Sequence, residues 1–113
     1  MVIIDDDDIF RAVVRALLTR RGFTVVGEAG EGRLGLEAVA QYRPQYVLID
    51  VQLPDIDGFR LSDQVRRVHP RARILLTSTD ADPAIETPVG YPLVFLPKDH
   101  IADHDLRALF DGG

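Results

Sequence analysis

Residues 46–58 read YVLIDVQLPDIDG, an apolar run that stops at an acid and continues into a loop with proline and glycine. The run from Tyr46 to Ile49 is the most apolar of the predicted strands, which is typical of a strand buried on both faces of a sheet. Asp50 ends this run, so the strand carries a carboxylate at its carboxyl end. The stretch therefore predicts a central parallel strand, followed by a helix that opens near Phe59.

Similar apolar runs recur on either side of this stretch and alternate with helical patterns. The other predicted strands are Val2 to Ile4, Phe23 to Val26, Ile74 to Leu76 and Leu93 to Leu96. The predicted helices are Phe10 to Leu18, Leu34 to Tyr42, Phe59 to Val68 and Leu106 to Phe110. Gly32 and Gly35 weaken the predicted start of the second helix. This alternation is typical of an α/β fold with a parallel sheet that is covered by helices on both faces.

The pattern fails between the fourth and fifth strands. Asp82-Pro83 favours a helix start, but Thr87-Pro88 and Gly90 stop the helix almost at once. The segment from Asp80 to Tyr91 is therefore predicted to be the least stable part of the fold, with a helix of about one turn at most.

Composition limits the class of protein. The chain has 113 residues, 46% of them hydrophobic, which suits one domain with its own core. It has no cysteine, which excludes disulfides and thiolate zinc sites and favours a cytoplasmic location. A net charge of −5 argues against direct binding of nucleic acid or of an anionic membrane. No apolar run approaches the roughly 20 residues that span a bilayer, and no basic flank indicates a signal peptide.

Polar side chains follow four of the predicted strands at or just after their carboxyl ends. They are Asp5 with Asp6, Asp50, Thr77 with Ser78, and Lys98. The carboxyl ends of parallel strands border the ligand-binding crevice, so these groups are expected to meet in one shallow cleft. Clustered carboxylates repel one another, and a divalent cation relieves that repulsion. Mg²⁺ fits because it accepts one or two carboxylates and leaves room for phosphate, while the hydroxyl and the ammonium hold phosphoryl oxygens.

Together these segments resemble the receiver domain of two-component response regulators over essentially the whole chain. Residues 3–11, IIDDDDIFR, resemble the first strand, acidic pair and first-helix opening of the family. Residues 48–58, LIDVQLPDIDG, resemble its phosphoacceptor strand and the loop that follows. Residues 75–78, LLTS, and 95–98, FLPK, resemble the two remaining active-site segments. The match departs from the family at two points. The proline that commonly follows the family's lysine precedes Lys98 here, and the fourth helix, which forms part of the family's output surface, is poorly supported by the sequence.

The resemblance implies both a fold and a function. The fold is flavodoxin-like (CheY-like) and doubly wound, with five parallel strands in the order 2-1-3-4-5 and a short or degenerate fourth helix. Residues 1–113 are thereby identified as one response regulator receiver domain. The implied function is that of a phosphoacceptor in a two-component phosphorelay, which catalyses only its own phosphorylation and dephosphorylation.

The resemblance also implies the nucleophile and the metal ligands. Asp50 is expected to take the phosphoryl group and form an acyl phosphate, 4-aspartylphosphate. Asp6 is expected to bind Mg²⁺ directly, and Asp5 is expected to act through water. Asp50 and the backbone carbonyl of Gln52 complete the protein's share of the metal ligands.

Three further residues are implied to respond to the phosphoryl group or to hold it. Thr77 is expected to donate a hydrogen bond to one phosphoryl oxygen, and Lys98 to pair with another. Phe95 matches the aromatic residue whose rotamer follows the threonine. Ser78 is the alternative switch hydroxyl if the register is shifted by one residue.

The implied partner is a histidine kinase or a phosphotransfer protein. Residues 27–29, GEA, and 75–78, LLTS, resemble receivers attached to helix-turn-helix output domains. A C-terminal DNA-binding domain in a longer protein is therefore one expectation, and a stand-alone regulator is the other. The resemblance also allows a dimer that forms on phosphorylation.

The sequence is also consistent with other functions and other roles for these residues. A degenerate receiver would act as an interaction module that is never phosphorylated, and an acidic-cleft phosphatase would act on separate substrates. The four aspartates at positions 5–8 are also consistent with a solvated helix N-terminus. His100 and His104 have the i, i+4 spacing of a metal pair, but no third ligand accompanies them in the sequence.

Overall fold

The computed structural model describes residues 1–79 and 94–112, in which strands and helices alternate. The elements are β1 (Val2–Ile4), α1 (Asp8–Arg20), β2 (Gly27–Ala29), α2 (Gly32–Tyr42), β3 (Tyr46–Asp50), α3 (Gly58–Val68), β4 (Arg73–Ser78), β5 (Val94–Pro97), a 3₁₀ helix (Lys98–Asp103) and α4 (Leu106–Gly112). The strands are all parallel and lie in the order β2-β1-β3-β4-β5. The predicted doubly wound fold and its strand order are confirmed.

The sheet separates two apolar cores because successive side chains of a strand point to opposite faces. One core lies against α1 and α4 and includes Ile3, Val14, Leu18, Leu48, Leu106 and Phe110. The other lies against α2 and α3 and includes Ile4, Val39, Ile49, Leu61 and Val65. The central strands are thus buried on both faces, which explains why they read as continuous apolar runs.

The register of the sheet brings the polar strand ends to one edge. Ile4 of β1 lies opposite Ile49 of β3, and Asp50 lies opposite Thr77 of β4. Since all strands run the same way, the residues that follow β1, β3 and β5 emerge beside one another.

The predicted position of the second strand is wrong. The sequence favours Phe23 to Val26, but the strand that pairs with β1 is Gly27–Ala29. The ring of Phe23 packs edge-on against Tyr46, at 5.5 Å between ring centroids, and so fills the core below the amino ends of the strands. The apolar residue at this position therefore reflects packing in the core and does not indicate a strand.

Helix α2 begins at Gly32 despite the low helix propensity of glycine. Its N-terminus is capped from a distant loop, because the Asp55 carboxylate accepts hydrogen bonds from the backbone amides of Gly32 (2.8 Å) and Arg33 (3.0 Å). Gly35 faces the sheet, and a Cβ there would lie 2.5 Å from Cδ1 of Ile4. Both glycines are buried, and Gly35 lets the helix approach β1 closely, whereas Gly32 lies against Ile56 in the loop before α3.

The predicted weak segment from Asp80 to Tyr91, with its short fourth helix, lies outside the described residues. Among the residues that are described, no helix is long and apolar enough to cross a membrane.

Candidate functional site

The four consecutive aspartates after β1 have different environments. Asp5 is buried, and one of its carboxylate oxygens accepts a hydrogen bond from the backbone amide of Asp7 at 2.9 Å. Asp7 is the N-cap of α1, and its side chain accepts hydrogen bonds from two amides of the first helical turn. The exposed Asp8 pairs with Arg11 at 2.5 Å. The interpretation of this run as a solvated helix N-terminus therefore holds for Asp7 and Asp8 only.

The first half of the run contributes to a cluster of three carboxylates. One oxygen from each of Asp5, Asp6 and Asp50 can be chosen so that the three atoms all lie within 4.8 Å of one another. Asp5 and Asp50 are buried, whereas Asp6 is exposed. Three hard oxygen donors at this separation fit a small divalent cation such as Mg²⁺. The further ligand expected from the sequence, the carbonyl of Gln52, stays a prediction.

Asp50 lies at the carboxyl end of β3 with only 2% of its surface exposed. Its Oδ1 accepts a hydrogen bond from the Gln52 amide at 3.0 Å, and its Oδ2 lies 3.3 Å from Nζ of Lys98. Gly58 packs directly behind it, where a Cβ would lie 2.6 Å from the carbonyl oxygen of Asp50. This close approach explains why glycine follows the loop acid at the start of α3.

The ionisation of Asp50 is costly in this environment. Burial raises the pKa of Asp50 to about 6, and the nearby charge of Asp5 acts in the same direction. The amide of Gln52 and the ammonium of Lys98 oppose that rise in pKa. Asp50 is therefore a carboxylate at neutral pH that any added positive charge stabilises further.

Lys98 joins the two buried carboxylates. Its Nζ lies 2.8 Å from Oδ2 of Asp5 and 3.3 Å from Oδ2 of Asp50. Burial lowers the pKa of Lys98, but the hydrogen bonds and charges of Asp5 and Asp50 outweigh burial and raise it overall. Since its side chain is only 9% exposed, Lys98 is a charged component of the cluster and not an ordinary surface lysine.

Thr77 places a hydroxyl next to Asp50. It lies directly opposite Asp50 in the β3–β4 register, and it is fully buried. Among the residues that the structure describes, its Oγ1 has no hydrogen-bond partner, which is rare for a buried polar atom. Ser78, the alternative from the sequence, lies opposite Pro97 instead. The register therefore favours Thr77 as the hydroxyl that faces the cluster.

Other residues singled out in the sequence do not join the cluster. Phe95 belongs to β5, but its side chain is outside the described part of the structure. His100 and His104 are exposed, and in the described ranges neither belongs to a group of three metal-ligating side chains.

Two neighbours of the cluster were missed by sequence reasoning. The ammonium of Lys98 lies over the ring of Phe10, 4.5 Å from its centroid, although the periodicity of α1 predicts only a core residue there. Arg11 reads as part of a solvated basic face, yet its Nη1 donates a hydrogen bond to the backbone carbonyl of Asp5 at 2.6 Å. Helical periodicity carries no signal for either contact, because both depend on how α1 docks against the loop.

Comparisons with known proteins agree on one family. The family model described as the response regulator receiver domain matches residues 1–89. Over 90 residues the chain is 38% identical to the transcriptional regulatory protein AfsQ1 of Streptomyces coelicolor, which covers 80% of this chain and 39% of that protein. Over 86 residues it is 38% identical to NarL of Mycobacterium tuberculosis, named as a transcriptional regulatory protein, which covers 75% of this chain and 40% of that one.

A solved structure extends the match to nearly the whole chain. The signal receiver domain of NarL from Mycobacterium tuberculosis superposes with a TM-score of 0.78 at 35% identity, covering 98% of this chain and 92% of that chain. The chain thus spans 39% and 40% of the length of the two curated relatives, both of which continue beyond the matched part.

Proposed function

The chain belongs to the response regulator receiver domain family, whose members are phosphoacceptors in two-component signalling, and we propose that Asp50 is its phosphoacceptor. The observation that carries this proposal is the convergence of groups on one buried carboxylate. Asp50 has a cation at one oxygen and two carboxylates beside it. Across the strand pair lies the hydroxyl of Thr77, which has no hydrogen-bond partner in the described part of the chain.

Each group has a part in the transfer. A carboxylate oxygen of Asp50 forms a bond to the phosphorus of a phosphohistidine donor. The bond from that phosphorus to the donor's ring nitrogen breaks, and its electron pair stays on the nitrogen. Lys98 pairs with one phosphoryl oxygen, and the hydroxyl of Thr77 donates to another. In-line phosphoryl transfer asks mainly for this positioning and charge neutralisation.

Asp5, Asp6 and Asp50 are the side chains that would hold Mg²⁺. When bound, the ion offsets the negative charge that the carboxylates and the incoming phosphoryl group bring together. Because Asp5 and Lys98 already form an ion pair at 2.8 Å, the protein supplies part of this neutralisation itself.

We further propose how the domain is used. The donor is a histidine kinase or a phosphotransfer protein, and residues 1–113 form one receiver domain. Two curated relatives are named as transcriptional regulatory proteins and are more than twice as long as the matched part, which supports a DNA-binding output domain outside this chain. The chain itself acts on no separate substrate and catalyses only its own phosphorylation and dephosphorylation.

The test is incubation with Mg²⁺ and a small acyl or amido phosphate donor, followed by intact mass measurement. The parent should gain one phosphoryl group that is labile to base, and Asp50→Asn should gain none because it lacks the nucleophile. Asp103→Asn, an exposed carboxylate on the 3₁₀ helix, is the matched control and should label like the parent. Labelling of Asp50→Asn at the parent's level would refute the assignment, and a parent that never labels would indicate a degenerate receiver.

A further inference from the structure

Arg11 makes one contact that the proposed function does not use. Its guanidinium lies beside the loop between β1 and α1, and its Nη1 donates a hydrogen bond to the carbonyl oxygen of Asp5 at 2.6 Å. That carbonyl belongs to the peptide unit that joins Asp5 to Asp6, the first two members of the carboxylate cluster. The contact therefore lies on the backbone between two candidate metal ligands.

Because the peptide bond is planar, this hydrogen bond affects the orientation of both Asp5 and Asp6. The six atoms of a peptide unit lie close to one plane, so a hydrogen bond to the oxygen fixes the orientation of the whole plane. The plane between Asp5 and Asp6 includes the Cα atoms of both residues, from which their carboxylate side chains depart. Fixing the plane therefore limits the directions in which both carboxylates can point.

Arg11 is itself held in place by two acidic residues. Its Nη2 pairs with Asp8 at 2.5 Å, and its Nε lies 3.6 Å from a carboxylate oxygen of Glu28 on β2. Only 19% of the Arg11 side chain is exposed, which keeps these contacts partly out of water. Arg15 also pairs with Glu28 but is 52% exposed and makes no contact with the loop among the described residues.

We propose that Arg11 is a positioning residue that orients the Asp5–Asp6 peptide for metal binding. This proposal rests on the proposed function only for its consequence in phosphorylation, because its direct effect is on the affinity for Mg²⁺. Residues that orient metal ligands commonly change metal affinity by about 10- to 100-fold when they are replaced.

The test compares Arg11→Gln with Arg15→Gln. Both variants remove one positive charge from α1 and one partner of Glu28, but only the first removes the donor to Asp5. Mg²⁺ binding is measured by titration calorimetry and by amide chemical shifts, and folding is checked by thermal unfolding without Mg²⁺. We expect Arg11→Gln to bind Mg²⁺ about tenfold more weakly and Arg15→Gln to stay within about twofold of the parent.

Phosphorylation rates measured at several Mg²⁺ concentrations distinguish a specific effect on metal binding from a general loss of structure. In Arg11→Gln the Mg²⁺ concentration for half-maximal labelling should rise, while the rate at saturating Mg²⁺ stays close to that of the parent. Unchanged Mg²⁺ affinity in Arg11→Gln would overturn the proposal. Equal losses in the two variants would also overturn it, because Arg15→Gln shares the lost charge and the lost partner of Glu28 but keeps the donor to Asp5.

A second variant covers the case in which Arg11→Gln does not fold. Glu28→Gln leaves the guanidinium in place but removes the carboxylate that Nε faces, so it should bind Mg²⁺ more weakly than both the parent and Arg15→Gln. Affinity in Glu28→Gln equal to that of Arg15→Gln would count against the proposal. If Mg²⁺ affinity falls as expected but the parent takes up no phosphoryl group, the positioning role stands and the proposed function fails.

Discussion

Asp50 is ionised at neutral pH although the fold disfavours its charge. Burial raises the pKa of Asp50 to about 6 from an ordinary value of 3.8, so the native state binds more protons than the unfolded state between these two pH values. The free energy of unfolding therefore falls as pH rises through this window, and the penalty is complete above it. This electrostatic penalty is expected where a buried carboxylate lies in a site that binds a positive charge.

Replacement of Asp50 by asparagine should relieve this penalty. Without divalent cations, we expect Asp50→Asn to raise the free energy of unfolding by about 2 kcal/mol at pH 8 and to have little effect near pH 4. Denaturant unfolding across this pH range measures the difference, with Asp103→Asn as the control. A difference that does not depend on pH would show that the penalty has another origin.

The acidic run after β1 offers a second prediction for single residues. Asp6 belongs to the carboxylate cluster, whereas Asp7 caps α1. Asp6→Ala should weaken Mg²⁺ binding with little loss of stability, and Asp7→Ala should lower the free energy of unfolding by about 1 kcal/mol with little loss of Mg²⁺ binding. Mg²⁺ titration and denaturant unfolding of both variants, with Asp8→Ala beside them, measure the two effects. Equal losses of Mg²⁺ affinity in all three variants would indicate a diffuse acidic patch.

Among the elements, α2 shows how packing overrides local propensity. Alanine favours a helix over glycine by about 1 kcal/mol, yet a Cβ at Gly35 would lie 2.5 Å from Cδ1 of Ile4. We expect Gly35→Ala to lower the free energy of unfolding by about 1–3 kcal/mol, because the close contact outweighs the gain in propensity.

A double variant tests whether that contact is the cause. Ile4→Ala removes Cδ1, Cγ1 and Cγ2, the three atoms that a Cβ at Gly35 would meet, so Gly35→Ala combined with Ile4→Ala should lose less stability than the sum of the two single variants. Denaturant unfolding of the four proteins completes the cycle. Strict additivity would mean that the clash with Ile4 is not the source of the loss.

At the scale of the whole molecule, metal binding and folding should be coupled. The carboxylate cluster joins the loop that follows β1 to the carboxyl end of β3, so it forms only when the sheet is assembled. A ligand that binds only the native state at 100 times its dissociation constant adds about 2.7 kcal/mol to the free energy of unfolding. Mg²⁺ should therefore stabilise the parent.

The same coupling predicts a difference between the parent and Asp50→Asn. At pH 8 without Mg²⁺, Asp50→Asn should have the higher thermal midpoint. Mg²⁺ should raise the midpoint of the parent more than that of Asp50→Asn, so the difference between the two midpoints should shrink or change sign. Thermal unfolding with and without Mg²⁺ measures this change. An equal rise in both proteins would show that the ion does not use Asp50.

Local sequence determined most of the sheet and the chemistry at its edge. Each central strand is a short apolar run buried on both faces, and this burial leaves a pattern that needs no knowledge of neighbours. The polar residues that close these runs, Asp5, Asp50 and Thr77, meet because parallel strands end at one edge. Segment order and spacing were enough to identify the family, which the comparisons confirm.

Only the tertiary structure decided how the neighbours of that edge are used. Four features depend on contacts between residues of different elements. They are the start of β2, the approach of Gly35 to Ile4, the contact of Phe10 with Lys98 and the hydrogen bond from Arg11 to Asp5. The raised pKa of Asp50 likewise comes from burial beside Asp5, 45 positions away in the sequence. Such contacts depend on how helices and loops dock on the sheet, and periodicity along one segment carries no information about docking.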